Sequence, residues 1–338
     1  MLEDEETYEM FMLLGKEFTF TVDVSNMPCG INGALYFAQM DKSGNMGNGN
    51  MAGAKYGTGY CDAQCPHDIK FIDGGANVED WNPSPSDPNA GRGKWGSCCS
   101  EMDIWEANKV SSAYTAHPCT VNKQTECSDP VTCGDDPDHR FDGVCDKDGC
   151  DFNPYRAGVH DFFGEGSNFK VDTSQKLTVV TQFLTDSNGD LNEIRRKFVQ
   201  NGKVIEHPMS AVDTMSKQYD SITDEMCDSM KTAFGDTNDF KKKGGLKKMG
   251  DAMKQGMVLV MSIWDDHAAD MLWLDSTDPP TKTSWGGPRG SCATTRGKPD
   301  EVEADYPNSG VKFSDIRIGD IDSTYGDLVT SEVTAFLQ

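Results

Sequence analysis

Twelve cysteines are spread along the 338 residues, and any fold of this chain has to place them. Adjacent Cys98-Cys99 and the Cys61-x3-Cys65 spacing lack the paired C-x2-C or H-x3-H partners of a zinc site, so no metal is expected. An even number set in loop-like stretches reads instead as six disulfides formed in an oxidising compartment. Met1-Leu2-Glu3-Asp4-Glu5-Glu6 is too acidic for the n-region of a secretory leader, so the expectation is either that the numbering starts downstream of one or that the chain is truncated. No Asn-x-Ser/Thr survives the proline in Asn82-Pro83-Ser84, and N-glycans are not expected. Net charge is −24, which makes nucleic acid and anionic membrane poor partners. No apolar run reaches the length of a membrane-spanning helix.

Between the cysteines the pattern is that of strands. Phe18 to Val24 alternates cleanly, with Phe and Val inward. Ala34 to Met40, Met257 to Trp264 (read as buried) and Val311 to Ile318 are further strands. Leu177 to Phe183 and Glu193 to Gln200 form a hairpin about Ser187-Asn188-Gly189-Asp190, and Asn201-Gly202 makes a second tight turn. Asp186, Asn188, Asp190 and Glu193 resemble a calcium loop, but the glycine falls at the wrong position and no calcium is expected. Two helices are predicted. One runs from a Ser221 cap to Phe234, with Ile222, Met226 and Met230 on one face and Gly235 ending it. The other is Leu246 to Lys254. Ser43–Met51, Asn82–Arg92 and Cys119–Cys150 read as loops, the last two long enough to be functional. With 34 glycines and little helical periodicity, the expected fold is all-β. It is a jelly-roll-like sandwich of two curved antiparallel sheets, with long loops and a few short helices. No repeat or linker divides the chain, so residues 1–338 are expected to form a single domain.

One stretch carries the chemistry: Ser97-Cys98-Cys99-Ser100-Glu101-Met102-Asp103-Ile104-Trp105-Glu106-Ala107-Asn108. On a regular strand Glu101, Asp103 and Trp105 share a face and Glu106 points away. A β-bulge near Ile104-Trp105 brings Glu106 round to Glu101 and Asp103. Two carboxyl groups so placed suit a retaining glycosidase, which needs a nucleophile and an acid/base about 5–5.5 Å apart. Asp103 between them can hydrogen-bond Glu101, and crowding separates the carboxyl pKa values so that one is ionised and one protonated. The plain alternative is a solvated acidic strand face.

The run SCCSEMDIWEAN…AHPC resembles the signature of glycoside hydrolase family 7, the cellobiohydrolases and endoglucanases that cut β-1,4-glucan. GALYFAQMD, AGAKYGTGYCDAQCP, GVCDKDGCDFNPYR, KLTVVTQF, GMVLVMSIWDD, MLWLDST and RGSC extend the likeness over Thr7 to about Thr324. The resemblance implies the same sandwich, with a cellulose or cello-oligosaccharide chain along its concave face. It implies Glu101 as nucleophile, Glu106 as acid/base, Asp103 as the carboxylate bonded to the nucleophile and His117 as the histidine near the acid/base. Trp264 and Trp273 match sugar-stacking tryptophans. Arg140, Arg156 and Arg289 match the arginines that hold the departing cellobiose, with Asp148 and Asp151 as their acidic partners. Asn32, Tyr36, Tyr60, Asp62, Gln64 and Asp265 match residues lining the glycone subsites. No cofactor is implied, and the protein is expected to be a secreted monomer. The pairing implied is Cys29–Cys292, Cys61–Cys99, Cys65–Cys98, Cys119–Cys145, Cys127–Cys133 and Cys150–Cys227.

Long Asn82–Gly96 and Cys133–Cys145 segments, with Arg140, point to release of cellobiose from chain ends rather than to an endoglucanase. A non-catalytic glucan-binding sandwich is the third reading. Two departures stand out. Tyrosines that meet over the tunnel in some members are lacking near Asp136-Pro137 and at Ala268. The likeness also begins about a quarter of the way into the family's catalytic domain. An N-terminally incomplete domain with an exposed sheet edge is therefore expected, without a carbohydrate-binding module.

Overall fold

The computed structural model describes residues 1–47, 49–85 and 90–330. Two antiparallel sheets pack face to face. The first is ordered Met10–Phe11, β9 (Met257–Trp264), β2 (Asn32–Ala38), β3 (Glu101–Ala107), β4 (Ser112–His117) and β5 (Cys150–Phe152). The second is ordered β8 (Lys203–Glu206), β7 (Leu191–Gln200), β6 (Leu177–Thr185), β1 (Glu17–Asp23) and β10 (Lys312–Gly319).

Alternation decides which side chains meet between the sheets. Phe18, Phe20 and Val22 of β1 face Leu35 and Phe37 of β2, and Phe18 meets Phe37 edge to face with centroids 5.0 Å apart. Trp105 is fully buried among Phe20, Phe163 and Phe198. The opposite face of the first sheet is left for Ala34, Tyr36, Ala113, Thr115, His117, Asp151, Ser262 and Trp264, which line a cleft.

The predicted strands and hairpin form, with two corrections. The helix begins at Asp224, not Ser221: α1 is Asp224–Phe234, and Thr223 caps it by accepting the Met226 amide at 3.1 Å. Ser221-Ile222 instead pairs with Ile194-Arg195 of β7, because β-branched Ile222 is buried to 0% exposure in the sandwich. Strand β9 is buried only at Met257–Leu259; Met261, Ile263 and Trp264 are exposed. Its outer neighbour, Met10–Phe11, pairs only with Met257 and Val258. Beyond Leu259, whose carbonyl accepts the Met1 amine at 2.8 Å, the outer edge of β9 has no partner strand among the described residues. The second helix, α2, is Gly245–Lys254.

The six disulfides are Cys29–Cys292, Cys61–Cys99, Cys65–Cys98, Cys119–Cys145, Cys127–Cys133 and Cys150–Cys227. Cys127–Cys133 closes a short loop on itself, and the other five tie loops and the Cys227 helix to segments in or next to the strands of the cleft-bearing sheet. In the Asn82–Arg92 loop, Asn82-Pro83 pairs with Gly91-Arg92, and residues 86–89 lie outside the described residues.

Candidate active site

The site begins with a break in alternation. Along β3, Glu101 and Asp103 face the cleft and Met102 faces the core. Ile104 and Trp105 are then both fully buried, and Glu106 returns to the cleft. Strand pairing shows how. Leu35 lies opposite Trp105 and Tyr36 opposite Asp103, so Ile104 is the extra residue against β2. On the other side Ala113 lies opposite Glu106 and Thr115 opposite Asp103. This is the predicted bulge, and it places all three carboxylates on one face.

The bulge is held from inside the sandwich. The Arg196 guanidinium of β7 donates from Nη2 to the Ile104 carbonyl. Arg196 is 1% exposed, with its guanidinium 4.3 Å from the Tyr114 ring centroid and 5.9 Å from that of Phe198. Burial pushes its pKa down to about 10.

Each carboxylate has its own support. Glu101 Oε2 accepts the Ala63 amide at 3.0 Å. Glu106 Oε1 accepts Asn32 Nδ2 at 3.0 Å, and Asn32 is itself oriented by accepting the Ala107 amide at 3.1 Å. Asp103 Oδ2 lies 3.1 Å from His117 Nε2, whose Nδ1 lies 2.8 Å from the Asp146 carbonyl. Asp103 is thus engaged by His117, and it acts on Glu101 through its charge.

Burial, then the charges of Asp103 and Asp62, push Glu101 well above the usual carboxylate range. Burial and Asp103 push Glu106 up to about 8. Burial would lower His117, but the hydrogen bond and charge of Asp103 outweigh it and raise the imidazole to about 9. The two glutamates therefore do not separate into one raised and one ordinary group. Both are raised, because burial disfavours both charges and Asp103 adds to it, and the His117 cation offsets only part of this at Glu106.

The cleft has a volume of about 970 Å³ and gathers most of the predicted residues. On one side Tyr36 Oη lies 2.7 Å from Tyr60 Oη, which donates to Asp62 at 2.7 Å. Asp62 accepts the Gln64 amide at 2.8 Å, and Gln64 donates to the Lys147 carbonyl at 2.9 Å. On the other side Arg140 binds Asp148 at 2.6 Å, and Arg156 binds Asp151 and, at 2.6 Å, Asp236. Arg289 lies in the same wall. Trp264 and Trp273 stack with centroids 5.9 Å apart, and Trp273 Nε1 donates to Asp266 at 2.8 Å.

Two predicted residues do not line the cleft. Asn32 is fully buried behind Glu106 and acts on it directly. Asp265 turns toward His267, 3.8 Å away, and its neighbour Asp266 takes the cleft position. Lys231, Asp236 and Lys282 line the wall and were not anticipated. Lys231 follows Cys227 by one helical turn, and Cys150 immediately precedes Asp151, so the implied Cys150–Cys227 bridge was the available signal.

The profile of glycosyl hydrolase family 7 matches residues 1–325. An exoglucanase, GH7B of Limnoria quadripunctata, is 55% identical over 325 residues, covering 96% of this chain and 72% of its own length. The crystal structure of a cellobiohydrolase from Daphnia pulex superposes with a TM-score of 0.91 at 55% identity, over 94% of this chain and 73% of that one. A Melanocarpus albomyces cellobiohydrolase complexed with cellotetraose superposes with a TM-score of 0.89 at 47% identity, over 96% of this chain and 74% of that one. The chain belongs to glycosyl hydrolase family 7.

Proposed function

We propose that this glycoside hydrolase cuts β-1,4-glucosidic bonds of cellulose or cello-oligosaccharides with retention of configuration, releasing cellobiose from chain ends. The observation that carries the reading is the bulge at Ile104, which turns Glu106 onto the face of Glu101. The relatives named exoglucanase and cellobiohydrolase support the exo mode. So do Arg140, Arg156 and Arg289 on the leaving side.

Glu101 is the nucleophile and attacks the anomeric carbon. Glu106 protonates the departing oxygen, then takes a proton from the water that opens the glycosyl–enzyme intermediate. Each glutamate accepts one donor that favours its ionised form, Glu101 from the Ala63 amide and Glu106 from Asn32, and burial outweighs both. Glu106, raised to about 8, holds a proton at neutral pH, and Glu101 gives up its proton before it attacks. The Asp103–His117 pair acts on both: the Asp103 charge on Glu101 and the His117 imidazolium on Glu106. Trp264 and Trp273 offer faces for sugar rings. The six disulfides support secretion, and action as a monomer belongs to the same proposal.

Product analysis on a soluble cello-oligosaccharide tests the reading. Cellobiose should dominate, and NMR of the first product should show the β anomer. Mixed oligomers would point to an endoglucanase, an initial α anomer would remove the role assignment, and no product would leave a glucan-binding sandwich.

A further inference from the structure

The leaving side of the cleft holds two cations whose donors have no protein partner. Five cations stand around Asp148 and Asp151: Arg140, Arg156, Lys231, Lys282 and Arg289. Three are committed. Arg140 binds Asp148, Arg156 binds Asp151 and Asp236, and Lys282 binds Asp236 at 3.0 Å. Lys231 and Arg289 form no ion pair with any described residue, and Arg289 Nε is buried without a hydrogen-bond partner. Lys231 is only 5% exposed. Its place is fixed by α1, which the Cys150–Cys227 bridge ties beside Asp151. Both unpaired groups are close enough to act on that carboxylate. Burial alone would push Asp151 up, but Arg156, Arg289 and Lys231 outweigh it and hold it below its usual value.

Arg289 Nε, buried without a hydrogen-bond partner, is costly unless something entering the cleft completes it, and the Lys231 ammonium on the same wall is free to turn to the same guest. A neutral sugar supplies hydroxyl oxygens. A carboxylate supplies two charged acceptors, which a cation pair binds by stronger, charge-assisted bonds. Asp148, Asp151 and Asp236 are paired with Arg140, Arg156 and Lys282, while the charges of Asp146 and Asp278 act on Lys231 and Arg289 without forming an ion pair with either.

We propose that the leaving side accepts cello-oligosaccharides whose reducing end is oxidised to an aldonate, with Lys231 and Arg289 holding the C1 carboxylate. The proposal rests on the leaving-side reading given above. The carboxylate arrives on the substrate, and hydrolysis neither makes nor consumes it. Such ends have to be supplied by an oxidative cleavage carried out elsewhere.

Calorimetric titration of the whole chain with cellobionate and with cellobiose at pH 6 tests this. Cellobionate should bind about tenfold more tightly than cellobiose, about 1.4 kcal/mol. The preference should shrink with added sodium chloride. Lys231→Met should cut the preference below about twofold, and Lys231→Arg should keep most of it; a thermal melt confirms that each variant is folded. Equal or weaker binding of cellobionate by the wild-type chain overturns the proposal and leaves the hydrolytic reading standing. A preference that survives Lys231→Met also overturns it. Failure of both sugars to bind overturns it together with the leaving-side assignment.

Discussion

At the scale of single residues, the two glutamates differ in what each can lose. Glu101→Gln keeps shape and removes the nucleophile, so turnover should fall to background while calorimetry still detects cello-oligosaccharide binding. Glu106→Gln should slow hydrolysis of a sugar leaving group by about 10²–10⁴-fold. Release of an activated phenolate, which needs no proton, should be nearly unaffected in the first step. Stability should separate from activity. The folded-state pKa of Glu106 is raised to about 8, so its contribution to stability is full below the unfolded carboxylate pKa and lost as pH rises through about 8. Glu106→Gln should therefore melt above the wild-type chain, with a gap that widens between about pH 4.5 and pH 8. Melting curves that stay parallel across that window would show Glu106 to be no more proton-binding in the folded state than in the unfolded one.

At the scale of elements, strand β3 explains which parts of the site were legible. Three acidic residues in Glu101–Glu106 do not fit one face of a regular strand, so a bulge could be inferred from spacing. What holds the bulge could not. Arg196 reads as one of a charged run, Arg195-Arg196-Lys197, and its burial depends on β7 crossing behind Ile104. Helix α1 shows the reverse error. Ser221 is a good cap by type, but Ile222 is drawn into the sandwich and the helix starts after it. Loop contacts were equally hidden. Asp135 joins His67 and Arg92, both at 2.9 Å, and Lys147 at 3.2 Å, tying three loop segments together, the last of which reaches the cleft. For Arg196→Met two stability effects oppose each other: an unpaired buried cation is removed, and the Ile104 carbonyl loses its donor. Stability should change by less than about 2 kcal/mol while kcat falls by about 10- to 100-fold, because Glu106 is no longer aimed. Assays and thermal melts on the same sample check this, and unchanged kcat would free the bulge from dependence on Arg196.

At the scale of the whole molecule, charge and covalent ties dominate. With 55 acidic against 31 basic residues, the folded chain repels itself at low ionic strength. Melting temperature and activity should hold or rise as sodium chloride is added; a steady decline would show that attractive pairs such as Lys16–Asp320 outweigh the repulsion. The covalent ties have a mechanical consequence. Cys98 and Cys99 are bridged to Cys65 and Cys61, and Asp62 and Gln64 of the cleft wall lie between those two partners. A polymer anchored in a solid pulls on whatever grips it. Tension taken up by that wall travels through two parallel sulfur links into the backbone just ahead of Glu101. The gripping surface and the attacking carboxylate then move as one body under load.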